Sequence, residues 1–189
     1  MKRYLKVFIV WAIISAGISS IAVQLVTIRE FLSQFHGNEI TISLVLFSWL
    51  VLTGLGSFIA KAVRWASVTT FTLLSGLLAF WPLPQLLLIR YFRESVFVHG
   101  ASPGFNQIVF YILATTSVYC LLLGFILPYS LRVLHERGES FTSGGLYITD
   151  RIGDITGGIL FSFVLVYSLT PFVTIAITSG ILILGVIIL

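Results

Sequence analysis

Apolar residues run through this chain in long blocks separated by short polar breaks. A helix needs about 20 apolar residues to cross a hydrocarbon core of roughly 30 Å. Six segments meet or approach that length: 7–28, 40–60, 68–89, 108–127, 146–170 and 172–189. The pattern predicts an all-α fold, a polytopic membrane helix bundle of about six transmembrane helices that forms one domain, 1–189.

The start of the fifth helix follows from counting residues backwards. The stretch 155–189 has 35 residues without a charge and is divided by Pro171. A single helix of that length would be about 52 Å long, which is too long for one crossing. If the fifth helix ends near residue 170 and needs about 20 residues, it begins near Arg151. The count therefore draws the charged residues near 150 into or against the membrane.

Prolines predict where two other helices end or bend. Pro128 follows the fourth apolar block, and we expect it to close that helix, because proline cannot continue the hydrogen-bond ladder. Pro82 and Pro84 lie inside the third block, where they free backbone carbonyls. We expect a kink there, with Gln85 or a water as the donor to the freed carbonyls. The alternative is a discontinuous helix that binds a substrate.

Composition supports a membrane protein. The chain is 58% hydrophobic and 10% charged, whereas soluble domains carry roughly 25% charged residues. Cys120 is the single cysteine, which excludes an internal disulfide framework and a cysteine zinc site. The three histidines are dispersed, and no phosphate loop or dinucleotide-binding motif is present. We therefore expect no metal, no cofactor and no nucleic acid, with the lipid bilayer as the main partner.

Basic residues are distributed unevenly between the two sides of the predicted bundle. Eight lie on the side of the N-terminus: Lys2, Arg3, Lys6, Lys61, Arg64, Arg132, Arg137 and Arg151. Three lie on the other: Arg29, Arg90 and Arg93. Short loops rich in Lys and Arg stay in the cytoplasm. The bias predicts an N-in, C-in topology.

A first candidate polar site lies at the start of the fifth helix. Asp150 and Asp154 are four residues apart and share a face, and Arg151 precedes Asp154 by three, a spacing that permits an ion pair. Tyr147 lies one turn earlier. Charges at membrane depth usually mark a pathway, a relay or a partner. The alternative is an ordinary helix start in the headgroup region, with Asp150 near the positive end of the helix dipole.

A second candidate site joins the first two helices at the predicted outer mouth of the bundle. It consists of Gln24, Arg29, Glu30, Asn38 and Glu39. Gln24 interrupts an apolar run and needs a hydrogen-bond partner, because lipid offers none. The alternative is a solvated turn with a helix cap at Asn38 or Thr41.

Glycines predict where helices pack closely. Small residues let helix backbones approach each other in a membrane. We expect this role for five glycines: Gly54, Gly56, Gly153, Gly157 and Gly158.

Two stretches resemble the membrane region of spermidine synthase-like membrane proteins of bacteria. The run QLVTIREFLSQFHGNEITISLVLFSWLVLTGLGSFIA, 24–60, resembles the first two helices of that region, and LYITDRIGDITGGILFSF, 146–163, is similar to a later one. Arg151 and Asp154 depart from the family pattern. The positions that match it are Arg29, Glu30, Gly37, Asn38, Glu39, Gly54, Gly56, Tyr147, Asp150, Gly153, Gly157 and Gly158.

The resemblance implies a multi-pass protein of the bacterial cytoplasmic (inner) membrane. In that family, a soluble aminopropyltransferase-like domain of Rossmann type often follows the helices, and residues 1–189 contain no such domain. We therefore expect a membrane domain that anchors a soluble synthase-like domain or partner chain, or that passes a small solute such as a polyamine. The alternatives are a membrane-tethered aminopropyltransferase whose catalytic domain lies outside this chain, and a purely structural subunit.

Overall fold

A computed structural model describes residues 2–35, 39–63, 65–97, 104–137 and 141–187. The described residues contain helices and their connections, with no strand among them. The helices are α1 (Lys2–Gln34), α2 (Glu39–Ala62), α3 (Val68–Phe80), α4 (Pro82–Val96), α5 (Phe105–Glu136), α6 (Ser143–Leu160), a π-helical turn (Phe161–Leu165), α7 (Val166–Ser168) and α8 (Pro171–Ile187).

These helices form six rods in the described part of the chain, as the hydropathy pattern predicts. Trp81 has helical backbone angles and accepts a hydrogen bond from the Gln85 amide, so α3 and α4 make one rod. The π-helical turn joins α6 to α7 through a bond from the Val166 amide to the Phe161 carbonyl. Five rods are long and apolar enough to cross a membrane, and α8 is shorter. The all-helical prediction is confirmed.

The fourth predicted helix does not end at Pro128, contrary to the sequence-based prediction. Helix α5 continues to Glu136, with Pro128 inside it. Proline removes the bond that residue 128 would donate to the carbonyl of Gly124. The hydroxyl of Ser57, on α2, donates to that carbonyl at 2.8 Å. A neighbouring helix thus satisfies the freed carbonyl, and the helix continues.

Gln85 does not donate its side-chain amide to the carbonyls freed by the prolines, contrary to the sequence-based prediction. Its amide nitrogen Nε2 donates to the hydroxyl oxygen of Thr27 on α1, at 3.3 Å. Gln85 is almost fully buried, at 1% exposure. Its side chain therefore connects α4 to α1 instead of serving the carbonyls that Pro82 and Pro84 free.

Two close helix pairs organise the bundle: α1 packs against α6, and α2 packs against α5. At the first pair, a Cβ on Gly17 would lie 2.7 Å from the carbonyl oxygen of Asp150, and one on Gly157 would lie 2.7 Å from that of Ile18. Gly153 faces the Ile14 carbonyl in the same interface. Gly56 and Gly124 allow the corresponding contact between α2 and α5.

Two of the five glycines expected in packing have a different environment. A Cβ on Gly54 or on Gly158 would meet no described atom within 4 Å. Each lies beside a glycine that is in contact, but a neighbour one or two residues away points to another side of the helix. The glycines in the sequence therefore predicted that α2 and α6 pack closely against other helices, but not that Gly54 and Gly158 lie outside these interfaces.

The two ends of the bundle differ in character. The side chain of Arg132 donates to the carbonyl of Lys61 at 3.4 Å, and the ammonium of Lys6 lies 5.3 Å from the ring centroid of Phe141. His135 of α5 lies 2.8 Å from the carbonyl of the same Phe141. The basic ends of α1, α2 and α5 are therefore together, and we call this the basic end. The opposite end holds a cluster of aromatic rings: Phe31, Phe35, Phe97 and Tyr111.

The neighbouring glycines Gly157 and Gly158 give a matched test of the α1–α6 contact. Gly157→Ala should lower the melting temperature in detergent, because its Cβ would meet the α1 backbone and overpacking costs about 1–3 kcal/mol. Gly158→Ala should be neutral or slightly stabilising, since alanine favours helix by up to ~1 kcal/mol over glycine. Equal melting temperatures for the two variants would contradict the described interface.

Ser57→Ala should destabilise the protein by about 1 kcal/mol, because it leaves the Gly124 carbonyl without a donor. In a Pro128→Ala background the same change should cost little, since residue 128 then has an amide to donate. Ser117→Ala is the control, because Ser117 donates to the Ala114 carbonyl within its own helix. The measurement is thermal unfolding of the four combinations. An unchanged cost of Ser57→Ala in both backgrounds would rule out the compensation.

Candidate functional site

A cavity of about 450 Å³ lies between α1, α2, α5 and α6. We call it the central cavity. Its polar lining comes from three helices, α1, α2 and α6. The polar side chains are Ser20, Gln24, Thr53, Ser57, Tyr147, Asp150, Arg151 and Asp154. The structure therefore brings the whole first candidate site, and one member of the second, to a single space.

The three charged residues of α6 interact with one another at the cavity wall. Nη1 of Arg151 donates to Oδ2 of Asp154 at 2.6 Å, and Nη2 lies 3.8 Å from Oδ2 of Asp150. The two aspartate side chains are mostly buried, at 17% and 19% exposure, whereas the Arg151 side chain is 68% exposed. The carboxylates thus face the bundle, and the guanidinium lies at its surface.

Helix α1 supplies a neutral partner for Asp154. The Ser20 hydroxyl lies 3.2 Å from Oδ1 of Asp154 and 2.9 Å from the Gly17 carbonyl oxygen. A serine has one proton to donate, so the hydroxyl serves one of these acceptors at a time. The contact depends on Gly17 and Gly153, because their missing side chains let α6 approach α1 at this level.

The aspartates lie well inside their helix. Helix α6 begins at Ser143, and the side chain of Thr142 caps it by accepting from the Gly145 amide at 3.2 Å. Asp154 is eleven residues beyond Ser143, which is about 16 Å along the axis at ~1.5 Å per residue. Its level coincides with Ser20, near the middle of α1.

The four described residues of the expected outer-mouth site lie in different environments. Gln24 lines the central cavity. Glu30 is buried at the end of the bundle opposite the basic end, while Arg29 and Glu39 are exposed. Asn38 lies outside the described residues. Gln24 and Glu30 are separated by six residues, about 9 Å along the helix, so they occupy different levels of the bundle.

Glu30 has a partner that the sequence analysis did not assign to it. Arg90, on α4, donates from Nε to Oε1 of Glu30 at 2.7 Å and from its terminal nitrogen to Oε2 at 2.9 Å. Gln34 donates to Oε1 at 3.0 Å, and the guanidinium of Arg90 lies 4.7 Å from the ring centroid of Phe172. The available signal was the opposite charge of Glu30 and Arg90 on the same predicted side.

Polar residues follow one face of α1 from the central cavity to this ion pair. Ser20, Gln24, Thr27, Glu30 and Gln34 are separated by four, three, three and four residues, a spacing that keeps them on one side of a helix. We call them the α1 stripe. The stripe meets Asp154 of α6 at one end, then the central cavity, and then Gln85 and Arg90 of α4, while Gln34 donates to Glu30 within α1.

Among the described residues, no group of three or more His, Cys, Asp or Glu side chains is arranged to hold a metal ion. The chain matches no protein-family model, no curated protein and no solved structure. The resemblance to spermidine synthase-like membrane proteins therefore stays a prediction.

The ion pair of Arg151 and Asp154 can be tested with a double-mutant cycle. Asp154→Asn or Arg151→Gln alone leaves a charge without its partner, which costs about 2.5 to 3.5 kcal/mol at the centre of a membrane helix. The double variant should lose less than the sum, with a coupling energy on the order of 1 kcal/mol. The fraction folded in membranes or detergent measures it.

The control for this cycle is the pair Arg151→Gln and Glu94→Gln. Glu94 is an exposed acid at the far end of α4, so the two effects should add. Strict additivity of the Arg151 and Asp154 variants as well would place these charges in headgroups and water.

Proposed function

We propose that this chain is an integral protein of the bacterial cytoplasmic membrane, N-in and C-in, whose central cavity binds a small cationic solute, with a polyamine as the leading candidate. The observation that carries the proposal is the charge balance of the cavity. Asp150 and Asp154 face the bundle, and Arg151 provides one positive charge for the two. One carboxylate charge remains for a bound cation.

The excess of carboxylates over guanidinium groups matters because a buried carboxylate needs an opposite charge or hydrogen bonds. A charge taken out of water is costly unless an opposite charge or hydrogen bonds replace the lost hydration. Arg151 bonds Asp154 closely and reaches Asp150 only at 3.8 Å. An ammonium group in the cavity would compensate Asp150 and have the Thr53 and Ser57 hydroxyls of the same lining as further acceptors. The cavity volume, about 450 Å³, lies within the range of ~300–1,000 Å³ typical of small-molecule sites.

The α1 stripe supports passage as well as binding. It extends the polar surface from the central cavity towards the far end of the bundle, where Arg90 closes it on Glu30. Between these levels lies an apolar cluster of Ala22, Val26, Leu86, Phe161 and Ile175. This arrangement corresponds to a pathway that is closed beyond the cavity, with the cavity on the side nearer the basic end.

The resemblance supports a second proposal, that the helices anchor an aminopropyltransferase domain or partner chain. That proposal rests on sequence motifs, whereas the solute proposal rests on side chains that the structure brings together. Aminopropyltransferase activity that co-purifies with this chain from native membranes would favour the anchor.

The solute proposal is tested by ligand-induced stabilisation of the purified protein in detergent. Spermidine should raise the melting temperature in a concentration-dependent way, because a ligand that binds only the folded state stabilises it. Asp150→Asn should weaken this effect about tenfold, which corresponds to ~1.4 kcal/mol.

Glu94→Gln and Glu39→Gln are matched controls, since both remove an exposed acid outside the cavity. Both should respond to spermidine as the wild type does. An equal loss in these controls would mean that spermidine binds the general negative charge of the surface. No stabilisation of the wild type would overturn the proposal.

A further inference from the structure

The central cavity opens sideways, between α2 and α6. The lining residues of α1 and α5 are buried or half-buried and form the floor of the cavity, with Ser20 at 8% exposure and Gly124 as its buried members. The exposed lining residues belong to α2 and α6: Leu50 at 73%, Tyr147 at 50%, Gly54 and Arg151. These four residues form the mouth of the cavity.

The surface on both sides of the mouth is apolar. Phe47 and Phe58 on α2 are 56% and 74% exposed, and Ile148 and Ile155 on α6 are each 64% exposed. Side chains of this kind belong against hydrocarbon in a membrane helix. The mouth of this polar cavity, flanked by apolar side chains of α2 and α6, therefore faces lipid.

We propose that this cavity also receives a cation carried by a lipid, namely the head group of a primary-amine phospholipid that enters through the mouth. The inference rests on the proposed function, because it concerns the same cavity. The ammonium would lie with Asp150 and the Ser57 and Thr53 hydroxyls. The phosphate would lie at the mouth, where Arg151 is exposed and has donors that Asp154 does not use. The acyl chains would follow the apolar faces of α2 and α6.

The chemistry of the lining favours a primary amine over a trimethylammonium group. A primary ammonium has three N–H donors for carboxylate and hydroxyl acceptors, whereas a trimethylammonium has none. Trp49 and Tyr147 also line the cavity, and aromatic side chains attract quaternary ammonium groups. The comparison of the two head groups is therefore the decisive measurement.

The size of the cavity favours a head group over a helix of a partner protein. A helix with its side chains is about 10–12 Å across. It would lie across the apolar surfaces of α2 and α6 beside the mouth without filling the central cavity. A cavity of about 450 Å³ matches the range for small ligands. The charged residues at its wall are reached by a narrow group rather than by a helix.

Gly54 offers a way to close the mouth without disturbing the fold. A Cβ there would meet no described atom within 4 Å, and the same holds for Gly76 on α3. Gly54→Leu adds a side chain at the mouth, and Gly76→Leu makes the identical change outside the cavity lining. Both replace a helix-interior glycine with a better helix former, so the pair is matched in its effect on the helix.

The experiment uses the full chain in detergent with three probes: short-chain phosphatidylethanolamine, phosphatidylcholine of the same chain length, and spermidine. Binding is read from the melting temperature and from lipid retained in native mass spectra. The amine-headed lipid should bind about tenfold more tightly than the choline-headed lipid. Gly54→Leu should weaken its binding by a similar factor, and Gly76→Leu should leave it unchanged.

The outcomes separate this inference from the proposed function. Spermidine binding with equal affinity for the two lipids would overturn the lipid-borne ligand and uphold the soluble one. Lipid selectivity without spermidine binding would uphold the lateral site and overturn the soluble polyamine. An equal lipid response of Gly54→Leu and Gly76→Leu would show a lipid shell that ignores the cavity, which overturns the inference. Cross-linking of Gly54→Cys to a second protein in native membranes would also overturn it, because a partner would then cover the mouth.

Discussion

The close approach of α1 and α6 is the contact on which the rest of the site depends. Three glycines allow it, Gly17 on one helix and Gly153 and Gly157 on the other, because a side chain at any of them would meet the opposite backbone. At this separation Ser20 reaches Asp154, and the two aspartates of α6 face the bundle. If the helices stood further apart, Asp154 would lose its neutral partner on α1.

A second constraint acts on every helix of the bundle: backbone carbonyls in lipid need a donor from within the protein. At Pro128 the donor is the hydroxyl of Ser57, so α5 remains a helix through its proline. The same hydroxyl borders the central cavity. One side chain thus supports the fold and contributes to the candidate site, which links the stability of α5 to the chemistry of the cavity.

Hydropathy predicted the helical rods that the described residues form, because each long apolar block and each polar break is directly visible in the sequence. It did not predict helix ends such as Glu136, since these depend on a donor from another helix. The i,i+3 spacing predicted the pair of Arg151 and Asp154, which lies within one helix. The pairs of Glu30 with Arg90 and of Thr27 with Gln85 join residues about 60 positions apart, and no local pattern relates them. Gly17 and Gly124 were missed for the same reason, because their partners are the backbones of other helices.

The π-helical turn at Phe161–Leu165 has a consequence for the register of the last rods. Its bond from the Val166 amide to the Phe161 carbonyl encloses one more residue than an α-helical bond does. In a regular α-helix each additional residue rotates those that follow by about 100°, whereas this wider turn takes up its extra residue with little change in their direction. If the turn became α-helical with all its residues kept, the chain would enter α8 from a different direction, and Phe172 would leave the guanidinium of Arg90. The turn therefore maintains the angular relation between the helix that carries the aspartates and the ring that covers the distant ion pair, while the chain carries one residue more than the α-helical ladder could hold there.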